Sequence, residues 1–271
     1  MPRLTEYRPK SLLEYLELVE KLQRKAGHAL WFRGTGIATY RLVPSLYRHP
    51  TKTSSDDLQD LERQLMTRFR QRSVPYHSRN LSDDWDALFF MQHYGAPTRL
   101  LDWTENPLTG LHFALMSAPS KMAPNRKVKY SNSAAVWVLD PVSWNQAALK
   151  HVSYTGEPLA QGDEALKGYS PRSTPAGMTT HPVALYGAHN SARIVAQQGV
   201  FTIFGTNRSP MEALVRSGAF PANALFRVVI PPSRIESMRS SLLSQGITES
   251  TVFPDLEGLA RETKRHFGFE V

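Results

Sequence analysis

At 271 residues, with 41% hydrophobic and 21% charged side chains, the chain has the make-up of a globular protein long enough to bury a core without covalent staples. It has no cysteine, which excludes disulfides, thiolate metal centres and cysteine nucleophiles, and its sequence shows neither a secretion signal at MPRLTEYRPK nor an apolar run of membrane-spanning length, so a cytoplasmic protein without a membrane partner is expected. A formal net charge of +8 suits a polyanionic partner, whether nucleic acid, an acidic protein or a phosphate-bearing ligand, or serves solubility alone.

The first predicted helix starts at Ser11, with Glu14 three residues on as a capping box. Leu12, Leu16, Val19 and Leu22 form its apolar face, and Gly27 closes it. ALWFRG follows as a short buried strand that ends on Arg33 and Gly34. A second helix is expected from about Asp56 to Arg72 on the stripe Leu58, Leu61, Leu65, Phe69. A third, SDDWDALFFMQHYG, takes Ser82 as its cap and ends at Gly95; TRLLDW then runs extended. Asn106 caps a fourth helix that opens on Pro107. The second half reads as richer in strand: Ser133 to Asp140, Gly199 to Gly205 and Phe226 to Pro231. Ser233 and Glu236 suggest another capping box, and Pro254 opens a last helix. Residues 119–132 and 155–182 read as loops, the second long enough to be either functional or disordered. Helices early and strands late argue for an α+β fold in one domain over 1–271, helical to about 120 and strand-rich from about 133.

Three constellations carry candidate chemistry. Arg33 ends a buried strand, where a guanidinium needs either a ligand phosphate or an internal carboxylate such as Asp102. MQHYGAPTRLLDWTENP displays His93, Tyr94, Arg99, Asp102 and Trp103 around one helix–strand–helix connection. As a pocket wall it would supply rings to stack and cations to bond a ligand; as a self-satisfied corner it would pair Arg99 with Asp102. In SARIVAQQGVFTIFG, Arg193, Gln197 and Gln198 lie near a strand start, where an amide bonds a sugar hydroxyl, a base edge or local backbone. No zinc-protease, nucleophile-elbow or phosphate-loop spacing is present, and His112 on a leucine-rich helix reads as core, so no metal is expected.

These residues resemble the FRG domain family, named for a Phe-Arg-Gly triplet that here is Phe32-Arg33-Gly34. The resemblance continues through Met91 to Leu115, Arg193 to Gly205 and Gly246 to Ala260. FRG domains resemble distant NAD-dependent ADP-ribosyltransferases, many of them toxin or phage-defence components. The resemblance therefore implies a split β core with flanking helices that grips NAD as co-substrate. Its acceptor would be a macromolecule, for which the basic charge favours nucleic acid, RNA over DNA, and an antitoxin protein is a possible partner. It implies Arg33 and Gly34 at the dinucleotide, His93 and Tyr94 in the motif that stacks nicotinamide, with Arg99 and Trp103 beside them, and Gln197 at the ribose. Typical transferases carry a Glu where Gln197 stands, and Asp102, Glu105 and Asp255 are the acids that would compensate. The alternatives are a non-catalytic nucleotide- or nucleic-acid-binding module, and an NAD glycohydrolase.

Overall fold

In the computed structural model, which describes residues 4–122, 128–152, 154, 156–173, 177–188 and 191–269, the first helix begins and ends where its sequence signals lie. Ser11 accepts the Glu14 N–H at 3.2 Å and Gly27 adopts φ +75°, bounding α1 (Leu12–Ala26). Its buried face is Tyr15, Val19 and Leu22, while Leu16 is 38% exposed; Tyr15 takes the central place because its hydroxyl donates to the Pro107 carbonyl at 2.8 Å. Two expected caps are corrected. Asp83, not Ser82, caps α3 (Asp84–His93), since its carboxylate takes two amide N–H groups against the helix's positive end. Ahead of α8 (Pro232–Ser244) there is no capping box: Pro232 leaves no N–H to satisfy, and Glu236 accepts from the Tyr130 hydroxyl instead.

The α+β class expected from sequence is observed. Seven strands form one sheet: β1 (Thr5–Tyr7), β2 (Trp31–Thr35), β3 (Leu100–Thr104), β6 (Ala134–Leu139), β7 (Val183–Leu185), β8 (Gly199–Ile203) and β9 (Leu225–Ile230). A separate hairpin pairs β4 (Ser120–Met122) with β5 (Val128–Tyr130) in the segment expected as loop. The sheet order is β1-β9-β6-β2-β3-β8-β7, antiparallel except for β1 beside β9. Alternation along the strands divides the core. Phe32, Val136, Val138, Val228 and Ile230 face α1, α4 (Pro107–Met116) and α8. Trp31, Trp137, Leu139 and Leu225 face α2 (Ser55–Ser73), α3, α5 (Pro141–Ala148) and α7 (Met211–Arg216).

The triplet glycine has a packing reason. A Cβ on Gly34 would stand 2.1 Å from the Gly110 carbonyl and 2.3 Å from the Ala114 nitrogen, so α4 lies backbone against backbone over β2. That close approach carries Phe113 to the edge of β2. The long segment 155–182 is packed where described: Leu159, Leu166 and Tyr169 are buried in the core beside α5 and β7. Its Thr155 and residues 174–176 lie outside the described residues. The strands β1 and β7 and the helices α5 and α7 were not legible in sequence, because elements so short carry too few residues to show a period.

Candidate functional site

Strand β2 is laddered on one side only. Against β6 it pairs over its whole length, from Trp31–Leu139 to Thr35–Ala135, whereas against β3 it makes one pair, Phe32–Thr104. The sheet therefore parts between its fourth and fifth strands, leaving a cleft of about 250 Å³. Phe32 and Arg33 line it from β2, and Asp102, Trp103 and Thr104 from β3. Gln92 and His93 reach it from the end of α3, Phe113 from α4, Gln197 from the end of α6 (Ala192–Gln197), and Phe201 from β8.

Parting a sheet leaves backbone groups without ladder partners. The Asp102 carbonyl is satisfied by Arg33, whose Nη1 donates to it across the gap. The same nitrogen is 3.8 Å from the Asp102 carboxylate, so Arg33 bridges the two halves of the sheet while one quarter of its side chain (26%) stays open to the cleft. Burial lowers the Arg33 guanidinium below its ordinary pKa; the Asp102 carboxylate opposes this and the nearby Arg48 adds to it. Asp102 is half-exposed at 55% and is oriented from outside: Thr98 donates to the Gln92 side-chain oxygen, and the Gln92 amide donates to Asp102 Oδ2 at 2.7 Å. Asp102 is the carboxylate that lines the cleft among the described residues. Asp255 instead caps α10 (Leu256–His266), accepting the Gly258 N–H at 2.8 Å, and Glu105 lies toward Tyr186.

His93 is half-buried at the rim. Burial, then Arg193 and Arg79, hold its imidazole below the usual histidine pKa, so it is neutral at pH 7. Gln197 is pinned: its side-chain amide donates to the Val252 carbonyl at 3.0 Å, and its backbone carbonyl accepts from Thr104 Oγ1. Gln198 follows at φ +46°, a left-handed turn uncommon outside glycine, and its carbonyl takes the Glu105 N–H at 3.1 Å. This corner fixes α6 against β3, and Arg193 is held with its guanidinium 4.5 Å from the Phe253 ring.

The structure separates the remaining candidates. Arg99 does not reach the cleft and does not pair with Asp102. It is buried against Glu62 (Nε to carboxylate 2.9 Å) and also donates to the carbonyls of Phe204 and Tyr169. Trp103 is a wall rather than an open stacking face, its ring 3% exposed and its Nε1 donating to Thr202 at 3.1 Å. Tyr94 turns away: it is 64% exposed, meets Phe90 edge-on at 4.8 Å and lines a separate apolar depression with Phe69, Tyr76 and His77. Gly34 borders the cleft but serves the α4 packing. His112 is buried, as expected for a core residue, and among the described residues no His, Cys, Asp and Glu cluster suits a metal. Phe32 and Phe201 are buried walls like Trp103, at 0% and 4% exposure, whereas Phe113 is half-buried and the most open of the phenylalanine rings that line the cleft. Gln92 was in view inside MQHYG, one residue before His93, but only the Thr98 contact reveals its orienting part.

Residues 28–122 match the family model of the FRG domain, so the chain carries an FRG domain over the segment holding α1's exit, β2, α2, α3, β3 and α4. The pieces Arg193–Gly205 and Gly246–Ala260 fall outside that match, although α6 completes the cleft wall. No curated protein and no solved structure matches the chain. No helix among the described residues is long and apolar enough to cross a membrane.

Proposed function

We propose that the cleft between β2 and β3 binds the nicotinamide-riboside end of NAD and that the chain transfers ADP-ribose to a nucleic acid, RNA before DNA. The observation that supports this is the pairing of Arg33 with the Asp102 carboxylate, 3.8 Å apart, in a small cleft whose lining also holds aromatic rings, the side chains of Gln92 and Gln197 and a second guanidinium, Arg193. At about 250 Å³ the cleft is below the range of roughly 300–1,000 Å³ usual for small-molecule pockets. It suits a ring and a sugar, with the diphosphate left outside over Arg33.

NAD supplies a glycosidic bond whose rupture releases neutral nicotinamide and leaves positive charge developing on the ribose. Asp102 is placed to stabilise that charge, held by Gln92 rather than free to swing. Arg33 holds the phosphates and keeps the Asp102 strand at its distance. The Phe113 ring, half-buried at the cleft, offers a face for nicotinamide. Neutral His93 can accept the proton that an attacking acceptor hydroxyl gives up as its oxygen bonds to the ribose carbon. Gln197 contributes position, since its amide is committed to Val252.

A second reading, a non-catalytic nucleotide-binding module, is favoured by that committed amide where transferases carry an acid. Incubation with NAD labelled in its ADP-ribose part, and separate pools of RNA, DNA and cell protein, distinguishes them. Label entering a nucleic-acid pool, and lost in Arg33→Ala, is expected. Asp102→Asn is expected to lower the transfer rate on the order of a hundredfold while NAD affinity stays within a few fold. Free ADP-ribose without acceptor labelling would show a glycohydrolase, and intact NAD in every pool would favour the binding module.

A further inference from the structure

Arg33 lines a second concavity as well as the cleft, so the two meet at its guanidinium. This groove, about 950 Å³, runs between residues 39–48 and the turn 206–210 that follows β8. Its charged lining is arginine throughout: Arg41, Arg48 and Arg208 join Arg33, and no carboxylate borders it. Those three are exposed and make no ion pair with a described carboxylate. Arginines gathered without counter-charge build a positive potential that an arriving anion relieves. Thr39 and Ser209 add neutral hydroxyl donors of the kind that bond phosphate oxygens. Tyr40, 57% exposed at the groove edge, offers a ring on which an unpaired base can stack.

The charge count selects the ligand. A dinucleotide brings two phosphates, and Arg33 already faces the place where they would lie. Three further arginines along an open groove match a longer run of phosphates. We infer that the groove is a binding track for the backbone of a single-stranded nucleic acid, leading one nucleotide to the cleft at Arg33. Binding of the strand stands on the groove alone; its delivery of an acceptor to the cleft rests on the transferase reading.

The test measures fluorescence anisotropy of a labelled oligoribonucleotide of about a dozen nucleotides, within the usual site sizes of roughly 4–16, across a salt series. NAD affinity is measured calorimetrically on the same full-length proteins. The variants are Arg41→Ala/Arg48→Ala/Arg208→Ala and the corresponding triple lysine substitution, and thermal melts check that both fold. The alanine variant should bind the strand at least tenfold more weakly. Its slope of log affinity against log salt should shrink by about 2, because each phosphate contact on a single strand contributes about 0.7. The lysine variant should keep most of the slope, since point charges suffice for phosphates. NAD affinity should be unchanged in both. The inference is overturned if wild-type protein does not bind the strand, if the alanine variant binds it equally well, or if a duplex of the same sequence binds as tightly. NAD affinity falling in parallel with strand affinity would also overturn it, assigning the groove to the dinucleotide. Should wild-type protein take no NAD while the strand results hold, the transferase reading fails and the groove inference survives.

Discussion

Replacing Glu62 by glutamine probes the buried ion pair that positions the cleft strand. Arg99 and Glu62 are 1% and 0% exposed, and the guanidinium contacts both carboxylate oxygens through Nε at 2.9 and 3.0 Å. Its other nitrogens donate to Phe204 O at 2.9 Å and Tyr169 O at 2.7 Å, both uncharged acceptors, so among the described residues Glu62 supplies its ion-pair partner. Glu62→Gln keeps the shape and removes the counter-charge, leaving a desolvated cation; breaking a buried pair from one side costs about 3–5 kcal/mol. For a chain this long that is a fall in melting temperature of roughly 10 °C. Urea unfolding read by tryptophan fluorescence, with calorimetric melting beside it, measures the loss. The double variant Glu62→Met/Arg99→Met removes both charges and should recover part of the stability, short of wild type because the two carbonyls lose their donor. A loss below about 1 kcal/mol in Glu62→Gln, or a double variant less stable than the single one, would refute the assignment of Arg99 to structure and return it to ligand binding.

Three further outcomes are expected. Gln197→Glu should lower stability by about 1–3 kcal/mol, because a carboxylate would face the Val252 carbonyl that the amide now serves, and should not raise NAD turnover. A gain in turnover at unchanged stability would show that position to be catalytic. Burial depresses the His112 pKa to about 4, so its neutral form contributes stability that is complete above the ordinary value of 6.5 and is lost as pH falls toward 4. The loss should approach roughly 3 kcal/mol, and His112→Leu should flatten the urea midpoint across that window; parallel pH profiles in the two proteins would contradict this. Gly34→Ala should prevent accumulation of folded protein, since β2 and α4 cannot separate by the ångström or more its methyl needs; expression with an unchanged melting point would count against the backbone-to-backbone packing.

Sequence alone determined the local signals and the class. Ser11 and Gly27 bound α1 because capping and left-handed φ are properties of single residues. Likewise the β-branched and aromatic runs at 134–139 and 225–230 announced strands because a strand covered on both faces reads as a short continuous apolar run bounded by turn residues. The FRG triplet and MQHYGAPTRLLDW could be singled out, and with them Arg33, His93 and Asp102, all of which line the cleft. Tertiary structure alone decided which polar groups face the cleft and which face each other. Arg99 and Asp102 are three residues apart, yet the first turns inward to Glu62 on α2 and the second outward to Arg33, because register against β8 and the break from β2 orient them. Tyr94 follows His93 directly but lies beyond the helix end, where the chain's turn at Gly95 (φ +75°) leaves it on a different surface. The cleft exists because β2 and β3 share a single residue pair, and the basic groove because segments 39–48 and 206–210 meet across the sheet; neither separation in sequence carries a local signal.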